Sequence, residues 1–443
     1  MKIQLSEHFN YQKLIKFTLP TIIIMIFTSI YGVVDGLFVS NVVGDSAFAS
    51  VNLIMPFIMI LGSFGVMIGT GGSALISKLI GEGQKEKANK IFSMLILTLI
   101  ITGIIFSIIG LIFIKDIAIL LGADDSTLEN SIIYGRVLLI ALTPYLLQYA
   151  FQSFLIVAER PVFGLLISIL SGVFNMLMDF LFIYVFKMGI FGAALATSLS
   201  QVIGGVIPII FFLKTKKSTF KFGTPIFDKK ALLQSCLNGS SEMLSNLSMS
   251  LVNMLYNIQL MKLIGPDGVV AYGIIMYVGF IFSGVYMGYS MGIAPVIGYH
   301  YGAKNDKELK SLLKKSLILI SIASIVLTIL AEVSAIFLAS IFVSYNNDLM
   351  NLTTLALRLF VLSYLVGGIN IFASSFFTAL NNGLISALIS FLRTLVFQVI
   401  MIFLLPIIFD TNGIWLSVVF AELLALIVSI ICLITNRKKY NYF

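Results

Sequence analysis

Apolar runs of about 20 residues recur twelve times along the 443-residue chain, at 17–39, 49–77, 92–114, 132–157, 162–186, 190–213, 233–261, 269–297, 316–340, 352–379, 384–408 and 412–436. Each is long enough to cross a hydrocarbon core of ~30 Å as a helix. No other feature constrains the fold as strongly. The composition agrees, with 59% hydrophobic and 11% charged residues, against roughly 45–50% apolar and 25% charged in soluble domains. The expected class is an all-α membrane protein with twelve transmembrane helices. The first run follows basic residues in "MKIQLSEHFNYQKLIKFTLP" but is too long for a signal peptide, so it counts as the first span.

A net charge of +8 could suggest a nucleic-acid partner, but the placement of the bases argues against one. Lys115, Arg136, Lys187, Lys262, Arg358 and Arg393 apart, the remaining 22 of the 28 Lys and Arg residues fall in the termini, in the even-numbered loops or at the span ends beside them. Asp124, Asp125, Asp348 and Asp410 fall on the other side. The basic balance therefore reads as topology, with both termini cytoplasmic in the cell (inner or plasma) membrane and no nucleic acid bound. Cys236 and Cys432 lie near inner span ends without metal-ligand spacing and suggest no chemistry.

The longest polar connection, "KTKKSTFKFGTPIFDKK" at 214–230, divides the spans six and six. The expected organisation is an amino-terminal lobe over 1–213, a cytoplasmic linker over 214–230 and a carboxy-terminal lobe over 231–443. A shift of 221 residues superposes Gly44 on Gly265, Gly71 on Gly292, Gly81 on Gly302, Gly192 on Gly413 and Gln201 on Glu422. It also superposes the loops "GEGQKEKANK" and "GAKNDKELKS". An even number of spans per half keeps both copies in one orientation, a parallel repeat about an axis along the membrane normal.

Ionisable residues inside a membrane are costly and usually functional. Here they are Asp35, Asp179, Glu242, Glu332 and Glu422, with Arg136, Arg358 and Arg393 buried or interfacial. At ~1.5 Å per residue, Asp35, Asp179 and Thr197 each lie ~9–10 Å below the outer ends of the first, fifth and sixth spans. Asn175 and Asp179 are four apart and share a helix face. Two carboxylates, an amide and a hydroxyl suit a Na+ or proton site. Glu242, in the polar span "GSSEMLSNLSMS", suits either interhelical hydrogen bonding or attraction of a cationic substrate. Glu422 is expected to pair with Arg393 inside the second lobe.

Other motifs carry less. "GTGGSALISK" at 69–78 lacks phosphate-loop spacing, and close helix packing explains its small residues better. His8 and His300 are isolated and no H-E-x-x-H occurs, so a zinc protease is not supported. An aspartyl dyad of Asp35 and Asp179 lacks the G-x-G-D context of intramembrane proteases, and no catalytic residue or cofactor is expected.

Taken together, the two six-span halves, Pro20 and Tyr31 ahead of Asp35, "AERP" after the fourth span, the Asn175 and Asp179 pair, Thr197 in "GAALATSLSQ" and the closing "GIWLSVVFAE" resemble the multidrug and toxic compound extrusion (MATE) transporters, in their bacterial DinF-like and MepA-like branch. The resemblance covers nearly the whole chain. It implies a cation-coupled (H+ or Na+) efflux antiporter that exports lipophilic, often cationic small molecules by alternating access between two lobes. It further implies a cation site at Asp35, Asn175, Asp179 and Thr197, with Tyr31 and Tyr134 near it. The candidate substrate contacts are Tyr31, Tyr134, Gln152 and Glu242, and Pro20 gives the first span a place to bend. A monomer surrounded by membrane lipid is expected. Another branch of that family places coupling acids in the seventh and tenth spans, whereas here the tenth carries Arg358 and no acid. The competing reading is a flippase for a lipid-linked oligosaccharide or a related lipid. Its pyrophosphate would call for a cavity rich in Arg or Lys.

Overall fold

A computed structural model describes residues 3–38, 42–215 and 218–442, with the side chains of 32–38 and of Asp45 outside the described set. The first half comprises α1 (Tyr11–Phe38), α2 (Asp45–Gly81), α3 (Lys85–Leu120), α4 (Leu128–Ile140), α5 (Leu142–Val157), α6 (Pro161–Asp179) and α7 (Gly189–Lys214). The second comprises α8 (Lys229–Leu263), α9 (Pro266–Gly302), α10 (Asp306–Val343), α11 (Asn347–Val361), α12 (Tyr364–Ala379), α13 (Gly383–Phe391) and α14 (Phe397–Tyr440). A π-helical stretch, Phe180–Val185, continues α6, and another, Leu392–Val396, joins α13 to α14.

These segments form twelve spans in two six-helix lobes, as the apolar runs imply. Among the described residues, eight helical stretches are long and apolar enough on their own, and the pairs α4 with α5 (bent by 57°) and α11 with α12 (bent by 47°) each make one more. The stretch Gly383–Tyr440 is two spans, because Phe409 and Asp410 leave helical geometry and Asp410 takes φ 50°. Ser417 Oγ donates to Met401 O across that break at 2.9 Å, and Gly413 lies against the Leu405 carbonyl, so the two arms are antiparallel. The remaining span is α8, whose serines and asparagines make it too polar to pass on composition alone. Its buried faces, including Ser235, Asn238 and Ser241, pack on other helices instead of lipid. Several helices outrun their apolar runs, α3 by about a turn or more at each end, because charged residues such as Lys85 and Lys87 continue a helix readily once it leaves hydrocarbon.

The internal repeat is visible in the backbone. Gly44 and Gly265 each precede the second helix of their lobe with positive φ, 110° and 94°, a conformation that side chains disfavour. The lobes meet where α1 packs on α9, α2 on α8, and α2 on α9. Gly71 lies on the Ser235 carbonyl and Gly239 on the Met67 carbonyl, so "GTGGSALISK" is indeed a packing surface for a neighbouring backbone.

The described ends of the chain lie on one face of the bundle, Tyr440 packing on Tyr301 of α9 a few residues before Glu308, which holds Phe9. There the amino-terminal segment ties the lobes together: Leu5 N–H donates to Glu159 Oε1 at 3.0 Å, and Phe9 N–H donates to Glu308 Oε1 at 2.9 Å. His8, isolated in sequence, pairs through Nδ1 with Glu308 Oε2 at 2.6 Å, and Lys315 donates to Phe9 O at 2.6 Å. Leu5 and Phe9 are buried beneath these bonds.

Candidate functional site

In the first lobe, α1 packs on α6 and α6 on α7. Gly172 of α6 lies against the Phe27 ring of α1, which sets the register of two helices running the same way. Asp35 stands eight residues beyond Phe27 and Asp179 seven beyond Gly172, so at ~1.5 Å per residue they share one level. The Asp35 side chain lies outside the described residues, and its backbone position on α1 is what the structure supplies. Ser171 Oγ donates to Ser200 O at 2.6 Å and sets the register of α6 against antiparallel α7. From that bond, Thr197 comes out level with Asn175, and Asp179 lies about one turn above both. The four residues thus occupy two adjacent levels, a small departure from the single level that span-end counting suggests.

Asn175 and Asp179 are buried, at 1% and 0% exposure, and Thr197 nearly so at 9%. Both polar atoms of the Asn175 amide lack a hydrogen-bond partner among the described residues. An amide left unpaired in the interior costs about 1–3 kcal/mol, so its retention fits a group whose partner is a ligand. The π-helical stretch begins at the residue after Asp179. Such bulges break the regular i to i−4 ladder and recur at functional sites. Oxygen donors of this kind suit a small hard cation, and a carboxylate there can equally take a proton.

Tyrosines stand at this level and below it. Tyr31 lies beside Phe27 with ring centroids 6.2 Å apart and planes tilted by 30°, and Tyr134 is buried. On α5 the Tyr145 hydroxyl donates to that of Tyr149 at 3.4 Å. Tyr145 and Tyr149 were not singled out from the sequence, although "YLLQYAFQ" spaces Tyr145, Gln148, Tyr149 and Gln152 on one helix face. On that face Gln148 and Gln152 line a small crevice bounded by Gly164, Ser168, Gly204 and Pro208. Ser168 is seven residues nearer the terminal face than Asn175, so this crevice is ~10 Å from the cation level. Pro20 lies within α1, which runs through it without interruption.

The second lobe carries a different chemistry. On α8, Gly239 and Ser235 face α2 while Asn238 donates to Asn381 beyond α12 at 2.8 Å. Glu242 projects between these two directions at 100° per residue, towards the seam between the lobes, and it is partly accessible midway along the helix. Arg393, in the π-helical stretch Leu392–Val396, donates through Nε to both Glu422 oxygens at 2.8 and 3.0 Å, as the sequence suggested. Arg358 lies 3.8 Å from Glu332, a looser pair at the edge of the lobe.

Two lobes of six helices, with Asn175, Asp179 and Thr197 buried in one and the partly accessible carboxylate of Glu242 in the other, have the build of a membrane transporter. The MatE family model matches the chain twice, over residues 20–181 and 243–404, so the chain belongs to the MatE family. Its relatives include the multidrug export protein MepA of Staphylococcus haemolyticus, 25% identical over 366 residues, covering 82% of this chain and 80% of that protein. MepA of Staphylococcus aureus is 23% identical over 432 residues, covering 97% and 94%. A structure described as the outward-facing conformation of a multidrug resistance MATE family transporter superposes with a TM-score of 0.93 at 22% identity, over 99% of this chain and 98% of that one. These relatives are transporters of small molecules, not enzymes.

Proposed function

We propose that the protein is a cation-coupled multidrug antiporter of the cell membrane, with the face that carries both termini turned to the cytoplasm. The placement of 22 of the 28 Lys and Arg residues supports that orientation. The lobes would divide at the 214–230 linker, and substrates would be lipophilic, often cationic compounds. The multidrug export relatives support this class.

The observation that carries the coupling reading is the buried Asn175 and Asp179 pair, one turn apart beside Thr197, with the Asn175 amide unpaired among the described residues. In this reading Na+ or a proton enters at Asp35 and Asp179. Two carboxylates at one level repel when both are ionised, and an arriving cation or proton relieves them. The lobe geometry that closes around the bound ion is thereby favoured. Pro20, which removes one bond from the ladder of α1, offers a place for that helix to bend as the charge on Asp35 changes. Tyr31, Tyr134 and Glu242 would contact the transported compound.

Dye efflux from membrane vesicles under separately imposed Na+ and proton gradients tests the reading. Asp35→Asn and Asp179→Asn should each abolish gradient-driven efflux in folded protein, with the double variant no worse, as expected of residues acting as a unit. A single variant that still responds normally to the gradient overturns the coupling role.

A further inference from the structure

The Arg393 and Glu422 pair is built in a way that a merely structural ion pair does not require. An arginine that only neutralises a carboxylate commonly meets it with two parallel N–H bonds. Arg393 instead gives Glu422 a single donor, Nε, shared between both oxygens. Behind it Glu422 is braced: Asn370 Nδ2 donates to Glu422 Oε2 at 2.8 Å and to Glu422 O at 2.9 Å, and Ser429 Oγ donates to Asn370 Oδ1 at 2.9 Å. Glu422 and Asn370 are buried, at 5% and 0% exposure. The guanidinium plane is therefore held from one edge by a chain of three side chains.

The opposite edge is open. Neither Nη group donates to the protein among the described residues, and neither is sealed from solvent, the side chain keeping 18% of its accessibility. Four of the five N–H donors of the group are thus uncommitted within the span. The π-helical stretch that carries Arg393 packs on α8, which carries Glu242. Glu422 already neutralises Arg393, so the pair presents donors at little net charge.

We propose that Arg393 is a substrate-binding residue whose Nη groups hold a carboxylate on a transported compound, while the cationic part of that compound lies towards Glu242. This gives the second lobe a preference for zwitterionic amphiphiles over cations of the same shape. The proposal rests on the reading that the lobes bind lipophilic small molecules, and it is independent of which ion drives transport.

Equilibrium binding to the purified full chain, with no gradient, tests it by fluorescence anisotropy of two dyes. Rhodamine B has a free carboxylate beside its delocalised cation, and its ethyl ester keeps the cation alone. Arg393→Lys preserves the charge opposite Glu422 but removes the planar fork. The expected result is a loss of about tenfold in affinity for rhodamine B, the scale of a charge-assisted hydrogen bond, with the ester changed less than about twofold. Glu242→Gln should weaken both dyes. If Arg393→Lys does not fold, the charge-neutral double variant Arg393→Gln with Glu422→Gln replaces it and should likewise lose the acid while keeping the ester. Unchanged rhodamine B affinity, or an equal loss for acid and ester in a folded variant, overturns the assignment. Loss of gradient-driven efflux with this binding pattern intact would count against coupling alone.

Discussion

Gly81 and Gly302, related by the 221-residue shift, each lie against the other lobe's equivalent backbone: Gly81 on the Tyr299 carbonyl and Gly302 on the Lys78 carbonyl. Lys78 and Tyr299 are themselves 221 residues apart, so the contact is reciprocal and an axis passes between α2 and α9. It lies at the face that carries both termini. A side chain at either glycine would collide with backbone that has no rotamer to relax. Gly302→Val is therefore expected to open this face and reduce transport severely, with expression retained. Increased labelling of cysteines placed near residues 78 and 299 checks the opening, and unchanged labelling with normal transport would refute it.

Asn175→Leu separates stability from activity. The amide is buried without a hydrogen-bond partner among the described residues, so an apolar isostere removes a polar burial cost of about 1–3 kcal/mol. Thermal stability in detergent should rise while gradient-driven efflux is lost, the trade expected where a site is kept polar for its ligand. A variant both less stable and fully active would show that Asn175 serves packing.

Glu242→Gln is expected to weaken efflux of cationic substrates about tenfold and of neutral ones far less, since only the former lose a charge partner. Matched cationic and neutral dyes measured in one vesicle preparation decide this. Equal losses would make Glu242 a structural polar contact.

Glu308 holds the amino-terminal segment through Phe9 N–H and His8 while being only 6% exposed. Removing a buried charged acceptor of two bonds costs about 2–3 kcal/mol. Glu308→Ala should lower the unfolding temperature and make residues 3–9 susceptible to protease. Unaltered proteolysis would show that the burial of Leu5 and Phe9 suffices to hold the segment.

Asp124, in the loop between α3 and α4, accepts hydrogen bonds from the Ser126 and Thr127 hydroxyls at 2.7 and 2.8 Å. With Ser126 bonded ahead of Thr127 in strength, they hold its carboxyl below the ordinary aspartate range. A depressed folded-state value means that the contribution is complete at neutral pH and is lost as pH falls through that value. Amide exchange at Ser126 and Thr127, corrected for intrinsic rates, should therefore accelerate on acidification, and in Asp124→Ala it should be fast throughout.

The twelve spans were legible in the sequence because a hydrocarbon solvent leaves one solution for a backbone of this composition, helices of about 20 apolar residues with every internal bond made locally. The repeat was legible for a related reason: Gly44 and Gly265 stand where the backbone must take positive φ, and Gly81 and Gly302 where two backbones touch, so the residue type reports the geometry. Asn175 and Asp179 were legible as a pair because both stand on one helix, where spacing is geometry.

What lay between helices was not. That Thr197 is level with Asn175 while Asp179 stands a turn higher depends on the Ser171 to Ser200 bond, and the crevice that Gln148 and Gln152 share with Gly164 and Gly204 depends on how α5 packs against α6 and α7. The role of Arg393 turned on which of its nitrogens Glu422 takes. An arginine and a glutamate 29 residues apart announce only opposite charge; the braced Nε edge and the open Nη edge exist once Asn370 and Ser429 have been brought behind them from other helices. Local spacing and solvent determine the elements, whereas the approach of side chains from different helices is a property of packing, and the sites of this protein are made there.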